Sequence, residues 1–397
     1  MKLKPFITLL AMTSAVSAAW AEDTSNITVS GFGTAALTRS NTSDAEFARP
    51  NQLAGVTSGA KTGVDSNLGL QVTAKMNDWL SFTGQGLVRK NVTDNFGAEL
   101  AWAFAKAKVS ENLNIRVGRV GLPVYMISDY RNVGYANTML RPPVEMYTQV
   151  TLESLDGADV LYQTNLGDTA FTAQVAYGVT DSDNRGGFTA KFKKVSSINI
   201  VAENGPFTFR FGRVDANVTV DNSTNLTTLV TGLTKFGFVS GANAIAVNDT
   251  KASFTSVGLG VDWKSMVVQA EYGKRKSASL SIADTTSWYT MFGYRMGAFL
   301  PYVVHASATQ DSPRTVAGLP TAGPLLPYTL GANSLASSSP IQSSNSIGVR
   351  WDFHKSAALK LQLDRMSPDN GPGVFINAKP GFKGPVTVFA AAVDFVF

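Results

Sequence analysis

From Val386 to Phe397 the chain sets an apolar residue at every second position. Phe389, Ala391, Val393, Phe395 and Phe397 share one face, and Asp394 lies on the other. A strand turns successive side chains to opposite faces, so this segment has one greasy side and one side that admits charge. The pattern recurs in segments of about ten residues along the whole chain, which restricts it to sheet architectures. In a soluble sandwich the greasy faces would meet in a core. In a membrane barrel they would face lipid, while the polar faces line water.

The first residues favour the barrel. Lys2 and Lys4 form a basic head, Phe6 to Val16 is an apolar run, and Ala19-Trp20-Ala21 fits the A-x-A cleavage rule. Residues 1–21 are therefore expected to be a cleaved signal peptide, leaving 22–397 as one barrel domain. The apolar run is too short for a single anchoring helix, which needs about 20 residues.

Composition narrows the choice. Only 16% of the 397 residues are charged, against about 25% in ordinary soluble domains. Yet no uncharged apolar run after the signal approaches the length of a membrane helix. An antiparallel barrel that alternates its hydrophobicity accounts for both facts. There is no cysteine, so disulfides are forgone in a compartment that would permit them. Without Lys2 and Lys4 the chain has 32 basic and 29 acidic residues, a net +3. The basic residues are scattered singly, with none of the clustering that nucleic-acid binding needs.

Sixteen segments can be counted: Asn26–Arg39, Ser66–Met76, Trp79–Lys90, Asn95–Val109, Leu113–Arg119, Gly157–Asn165, Thr169–Thr180, Gly187–Glu203, Pro206–Val214, Lys251–Trp263, Met266–Lys276, Thr286–Met296, Ala298–Thr309, Ser343–Phe353, Ala357–Met366 and Val386–Phe397. The connectors between them alternate. Asn77-Asp78, Asn204-Gly205 and Lys264-Ser265 typify the tight set, whereas residues 40–65, 120–156, 215–250, 310–342 and 367–385 are long. Short turns on one rim and long loops on the other are the mark of an outer-membrane barrel, with the turns in the periplasm. The fold expected is all-β: a transmembrane antiparallel barrel of 16 strands with both termini on the periplasmic side.

The connector from Val120 to Asp156 is too long for a passive link, because loops of that length usually carry function. It holds Asp129, Glu145, Glu153 and Asp156 against Arg131 and Arg141, and Pro142-Pro143 stiffens it. It can pack on its own tyrosines outside the barrel, or fold into the lumen and narrow it; the second reading makes it a constriction. A channel needs no catalyst, only a wet constriction of defined width and charge. On the fourth strand Trp102, Phe104, Lys106 and Lys108 share one face and Ala101, Ala103, Ala105, Ala107 and Val109 the other. Two lysines facing lipid would cost about 2–4 kcal/mol each at mid-depth and nearly nothing at the interface. The lysines are thus expected in the lumen, with snorkelling at the periplasmic rim as the alternative. Arg116, Arg210 and Arg350 alternate against outward apolar neighbours and should also point inward. Arg119 shares the outward parity, and a bend or bulge at the strand end could turn it inward. With so small a net charge, weak selectivity with an anion lean is expected.

The chain resembles the Gram-negative general porins, sixteen-stranded trimeric channels. The features that carry the likeness are the signal, V-x-G-F-G-T at Val29 to Thr34, I-R-V-G-R at Ile115 to Arg119, the long loop after that strand, and the closing V-D-F-V-F at Val393 to Phe397. The resemblance implies a long third loop folded into the lumen against basic residues of the opposite wall. It also implies a homotrimer in the outer membrane, in contact with its lipid, and a C-terminal strand (Phe395, Phe397) read by the barrel-insertion machinery. Passive diffusion of ions and small hydrophilic solutes is the activity it implies. The P-E-F-G-G motif familiar from the family's third loop is absent, and Arg141-Pro-Pro-Val-Glu145 stands in that region. Candidate constriction residues are Lys106, Lys108, Arg116, Arg119, Asp129, Arg131, Arg141, Glu145, Arg210 and Arg350.

Competing chemistries lack their residues. Asp181-Ser-Asp183-Asn-Arg-Gly186 begins like a calcium loop, but Arg185 and Phe192 stand where ligands belong. Gly258-Leu-Gly260 lacks the third glycine of a dinucleotide motif. His305 and His354 have no metal-ligand spacing, and no nucleophile elbow is present. No cofactor, metal or catalytic residue is expected. A solute-binding channel or a surface-loop adhesin on the same barrel is the alternative function.

Overall fold

Alternation on this scale leaves every strand with unsatisfied backbone groups on both edges, and lipid cannot satisfy them. The computed structural model, which describes residues 26–50, 52–369 and 371–397, resolves this by closing the sheet. Sixteen strands form one antiparallel barrel: β1 Ile27–Ser40, β2 Asn67–Lys75, β3 Leu80–Lys90, β4 Phe96–Lys108, β5 Leu113–Gly121, β6 Ser154–Leu166, β7 Thr169–Asp183, β8 Thr189–Asn204, β9 Phe207–Asp221, β10 Thr250–Trp263, β11 Met266–Ser277, β12 Thr285–Tyr294, β13 Phe299–Gln310, β14 Gln342–His354, β15 Ala357–Pro368 and β16 Val386–Val396. Each strand pairs with the next, and β1 closes on β16 with Phe32 opposite Val396 and Ser40 opposite Val388. All sixteen strands expected from the alternation are present. The signal segment lies outside the described residues.

Parity sorts the two faces. Val29, Leu70, Val72, Val117, Val160, Phe209, Val303, Ile347, Leu361 and Val393 are exposed on the outer wall. Arg116, Arg210, Glu271, Lys360 and Asp394 lie on the inner one. Phe397 and Phe395 are outward and cover glycines of β1: a Cβ at Gly31 would lie 2.2 Å from the Phe397 ring, and one at Gly33 would lie 2.4 Å from Phe395. The small residues of the first strand thus give the terminal rings a seat, the cross-strand pairing of aromatic with glycine that fixes register.

Two of the long connectors carry helices that pack on one another. The β9–β10 connector carries helices Thr224–Lys235 and Val239–Ile245, and the β13–β14 connector carries Leu326–Ala336. Leu229, Leu233, Ala242, Ile245, Ala332 and Ala336 form their shared core. The first of these helices opens with Ser223 accepting from the Leu226 amide, an N-cap the sequence displays. Elsewhere, the short strands Glu46–Phe47 and Phe375–Ile376 pair and tie the first long loop to the last.

Candidate pore constriction

After Gly121 the chain leaves the wall and rejoins it at Ser154, and between these points it is fastened to inward-facing side chains around the barrel. Arg210 donates to the Pro123 carbonyl (2.6 Å) and Ser256 to that of Val124 (3.0 Å). Glu271 accepts from the Met126 amide and the Tyr147 hydroxyl, both at 2.8 Å. On the far side Lys360 donates to the carbonyls of Gly134 and Met139 (2.7 and 3.1 Å) and pairs with Asp394 (2.9 Å). Arg350 donates to the carbonyls of Tyr135 and Asn137 (2.7 and 2.9 Å). At Gly134 the loop backbone approaches the wall so closely that a Cβ would sit 2.0 Å from Asp394. The loop therefore crosses the lumen, held by groups from β9–β11, β14–β16 and β1.

Arg141 forms the tightest clamp. Its guanidinium reaches both oxygens of Asp65 (3.0 and 2.6 Å) and also Asp364, and all three side chains are at most 2% exposed. Burial alone would raise the Asp65 carboxyl, but Arg141 and Arg49 together hold it at about 2. Glu145, four residues on, accepts from Gln342 (2.6 Å) through one oxygen, while the other has no hydrogen-bond partner. No cation among the described residues pairs with it, and burial pushes its carboxyl above the usual range, with Asp364 adding to the effect.

On the opposite side of the loop a polar cavity of about 190 Å³ remains. Phe32, Gln85, Arg89, Glu99 and Trp102 supply its wall, and Ser128, Asp129, Asn132, Val133 and Glu153 supply the loop side. Arg89 bridges Glu99 (2.6 Å) and Glu153 (2.8 Å); Asn132 donates to Glu153 (2.8 Å), and Arg131 forms an ion pair with it (2.8 Å). Asp129 makes no ion pair among the described residues; burial raises its carboxyl, and the positive charge of Arg116 and Arg210 offsets part of that.

The sequence-derived candidates divide accordingly. Asp129 lines the cavity, with Arg131 just behind it. Lys106 lies on the inner face opposite Arg116, and Arg116 is locked onto Asp159 (2.9 Å). Lys108 shares the face but pairs with Glu111 of the periplasmic turn (3.1 Å). Arg141, Glu145, Arg210 and Arg350 are spent on holding the loop. Arg119 keeps the outward parity of Val117 and pairs with Asp156 (2.7 Å). The irregularity near it lies in β4: the register slips between Gln85 and Gly86, so Ala101 is the extra residue and parity above it inverts. That slip brings Glu99 inward, which strict alternation from Trp102 would not show. Arg89 was legible, since it alternates with outward Val88; nothing in the sequence set it apart from other lumen arginines.

A closed sixteen-stranded barrel with an apolar exterior, a polar interior and a loop across the lumen is the construction of an outer-membrane diffusion channel. The profile of the Gram-negative porin family matches residues 7–371, and the chain belongs to that family. Its fold is similar to that of Salmonella typhi OmpF in complex with daunomycin (12% identity, TM-score 0.57, 94% of this chain and 97% of that one). It is also similar to the anion-selective porin from Comamonas acidovorans (13% identity, TM-score 0.53, 94% and 99%). A third likeness is to in-vitro folded OmpT, an outer membrane protein of Vibrio cholerae (10% identity, TM-score 0.54, 96% and 100%). None of the curated proteins matches the chain. The protein is an outer-membrane porin.

Proposed function

We propose that this porin is a general, weakly selective channel for small hydrophilic solutes, and that its constriction is the gap between loop residues 128–133 and the β1–β4 wall. The observation that carries this is the polar cavity at that place, since the opposite side of the loop is packed against buried clamps. Charge at the gap favours cations slightly: Glu99, Asp129 and Glu153 line it against Arg89. Towards the periplasm Lys75 and Lys106 lie on the same inner wall, with Ser81 between them in register. The anion lean expected from sequence counted Arg116 and Arg210, whose charge is already engaged by Asp159 and by the loop. Acid above and base below give a field along the path that orients dipolar solutes. No catalytic role is part of this reading.

We further infer a homotrimer. Arg119 and Asp156 are 39% and 48% exposed on the outer wall, where an arginine facing lipid costs about 2–4 kcal/mol at mid-depth and a carboxylate somewhat less. Beside them Ala103 and Ala105 are outward and small, as a subunit contact requires. The trimer form of Vibrio cholerae OmpT shares the fold (12% identity, TM-score 0.52). Planar-bilayer reversal potentials in a salt gradient test the channel reading. A weak cation preference is expected, moving towards anions in Asp129→Asn and towards cations in Lys106→Glu. Strong selectivity of either sign, or no shift in both variants, would overturn the assignment.

A further inference from the structure

The packed side of the crossing loop holds a polar site that the proposed permeation path leaves unused. There the loop seals against β13–β15 around a cavity of about 10 Å³, roughly the smallest that takes one water-sized occupant. Val304 and Met366 give it apolar walls, while Ser344, Ser346, Asp364 and Glu145 give it oxygens. The two serines are alternate residues of β14, so both project from its inner face. Ser346 lies opposite Asp364 of β15 in register.

The donors around this cavity are already spent. Gln342 gives its amide to one oxygen of Glu145 (2.6 Å), and Gln362 gives its own to Asp364 (2.7 Å). Arg141 serves Asp65 and Asp364, and Lys360, the next cation along β15, serves Asp394 (2.9 Å). The second Glu145 oxygen has no hydrogen-bond partner and is closed to a water-sized sphere. Ser344 turns its hydroxyl towards the same carboxylate, and Ser346, only 8% exposed, bonds nothing among the described residues. Charge does not balance either. Among the described residues Asp65, Asp364 and Glu145 are answered by Arg141 and Arg49 alone, which leaves one negative charge shut off from solvent. An enclosed charge without its opposite is costly, and a neutral water does not supply the opposite.

We propose that this cavity is a site for one dehydrated sodium ion, held by Glu145, Asp364 and the hydroxyls of Ser344 and Ser346, which fastens the packed side of the loop to the wall. Every donor is an oxygen, and oxygen donors select hard cations over transition metals. Calcium asks for about six to eight oxygens and magnesium keeps several waters; this site has neither the donors nor the room. An ion that reaches the free Glu145 oxygen must be smaller than water, which selects sodium over potassium. In a salt without sodium only a proton can neutralise Glu145. The site lies away from the gap beside β1–β4, so it stands whether or not that gap is the constriction.

Single-channel records of the whole porin at neutral pH test it, in sodium, potassium, magnesium or N-methylglucamine chloride of equal ionic strength. High-conductance excursions should be roughly tenfold rarer in sodium than in the other three, the effect of one hydrogen bond to a charged group. Ser344→Ala/Ser346→Ala should make sodium behave like glucamine while the gel shift of the folded barrel is kept. Glu145→Gln has no charge to neutralise and should respond equally to every salt. A crystal grown in sodium chloride should hold an ion whose contacts to Glu145 and Ser346 are shorter than hydrogen bonds to water. Reversal potentials in the serine variant should match the wild type, so the channel reading stands or fails separately. Equal noise in sodium and glucamine would overturn the proposal. Equal quieting by potassium or magnesium would do so as well, since that is screening and not a site. A water at ordinary hydrogen-bond distances in the sodium crystal would also overturn it.

Discussion

Replacing Arg141 by Leu removes the only cation between Asp65 and Asp364 that is itself fully buried. Taking away one member of a buried ion pair costs about 3–5 kcal/mol, because the remaining charge is stranded. Asp65 keeps Thr38 (2.7 Å) and the half-buried Arg49 (3.3 Å), whereas Asp364 keeps only Gln362 (2.7 Å). At 1.36 kcal/mol per factor of ten, the docked loop should be disfavoured by roughly two to four powers of ten. The barrel ladder does not involve Arg141, so heat-modifiable mobility should be retained. Lys360, Arg350 and Glu271 still hold the loop, so the change should show as brief high-conductance excursions whose frequency rises by that factor in single-channel records. Arg141→Leu with Asp65→Asn and Asp364→Asn removes both sides of the clamp and should restore a quiet channel, since deleting matched partners together costs little. Unchanged noise in the single variant, or noise that the triple variant does not relieve, would refute the clamp.

Glu145 predicts a pH dependence of opposite sign to ordinary acid lability. Its docked carboxyl is raised by burial, so its contribution to docking is complete at acid pH and is lost as pH rises through the docked value; loop excursions should grow with pH, and Glu145→Gln should abolish that growth. Asp65 behaves conversely. Held at about 2 against an ordinary 3.8, it should sustain the clamp above about pH 4 and release it only as pH falls towards 2, readable as acid-induced noise that Asp65→Asn removes. Deleting Phe397 uncovers Gly31 and takes a ring from the end of the β1–β16 seam, so less heat-modifiable barrel should accumulate in the outer membrane, measured by gel shift; normal amounts would count against a role in assembly. Arg119→Leu/Asp156→Leu replaces the outward pair by lipid-compatible groups and should shift native gel mobility from trimer towards monomer, and an unaltered trimer would remove that pair from the contact.

The wall was legible because its signal is local. Parity at Phe209-Arg210-Phe211 or Leu359-Lys360-Leu361 states which side chain meets lipid, and a misplaced charge there is costly enough to keep the pattern clean. The loop was not legible in the same way, because its positions are decided by partners far off in sequence: Arg141 answers to Asp65 and Asp364, and Glu271 to Met126 and Tyr147. Counting charges in 120–156 gives a local −2, but the count cannot tell a charge that meets the solute from one consumed in a clamp. The helices after β9 and β13 were passed over for another reason. Their Ser, Thr, Asn and Gly content reads as loop, and the i, i+3, i+4 spacing of Leu226, Leu229, Val230 and Leu233 is outweighed unless the Ser223 cap is read with it. The bulge at Ala101 shows the limit of parity itself. One extra residue inverts everything above it, and here that inversion sets Glu99 in the polar cavity that Asp129 also lines. On the proposed reading, the acidic side of the gap is set where alternation fails, at the slipped register and at the loop, while the regular strands supply the basic side through Lys75 and Lys106.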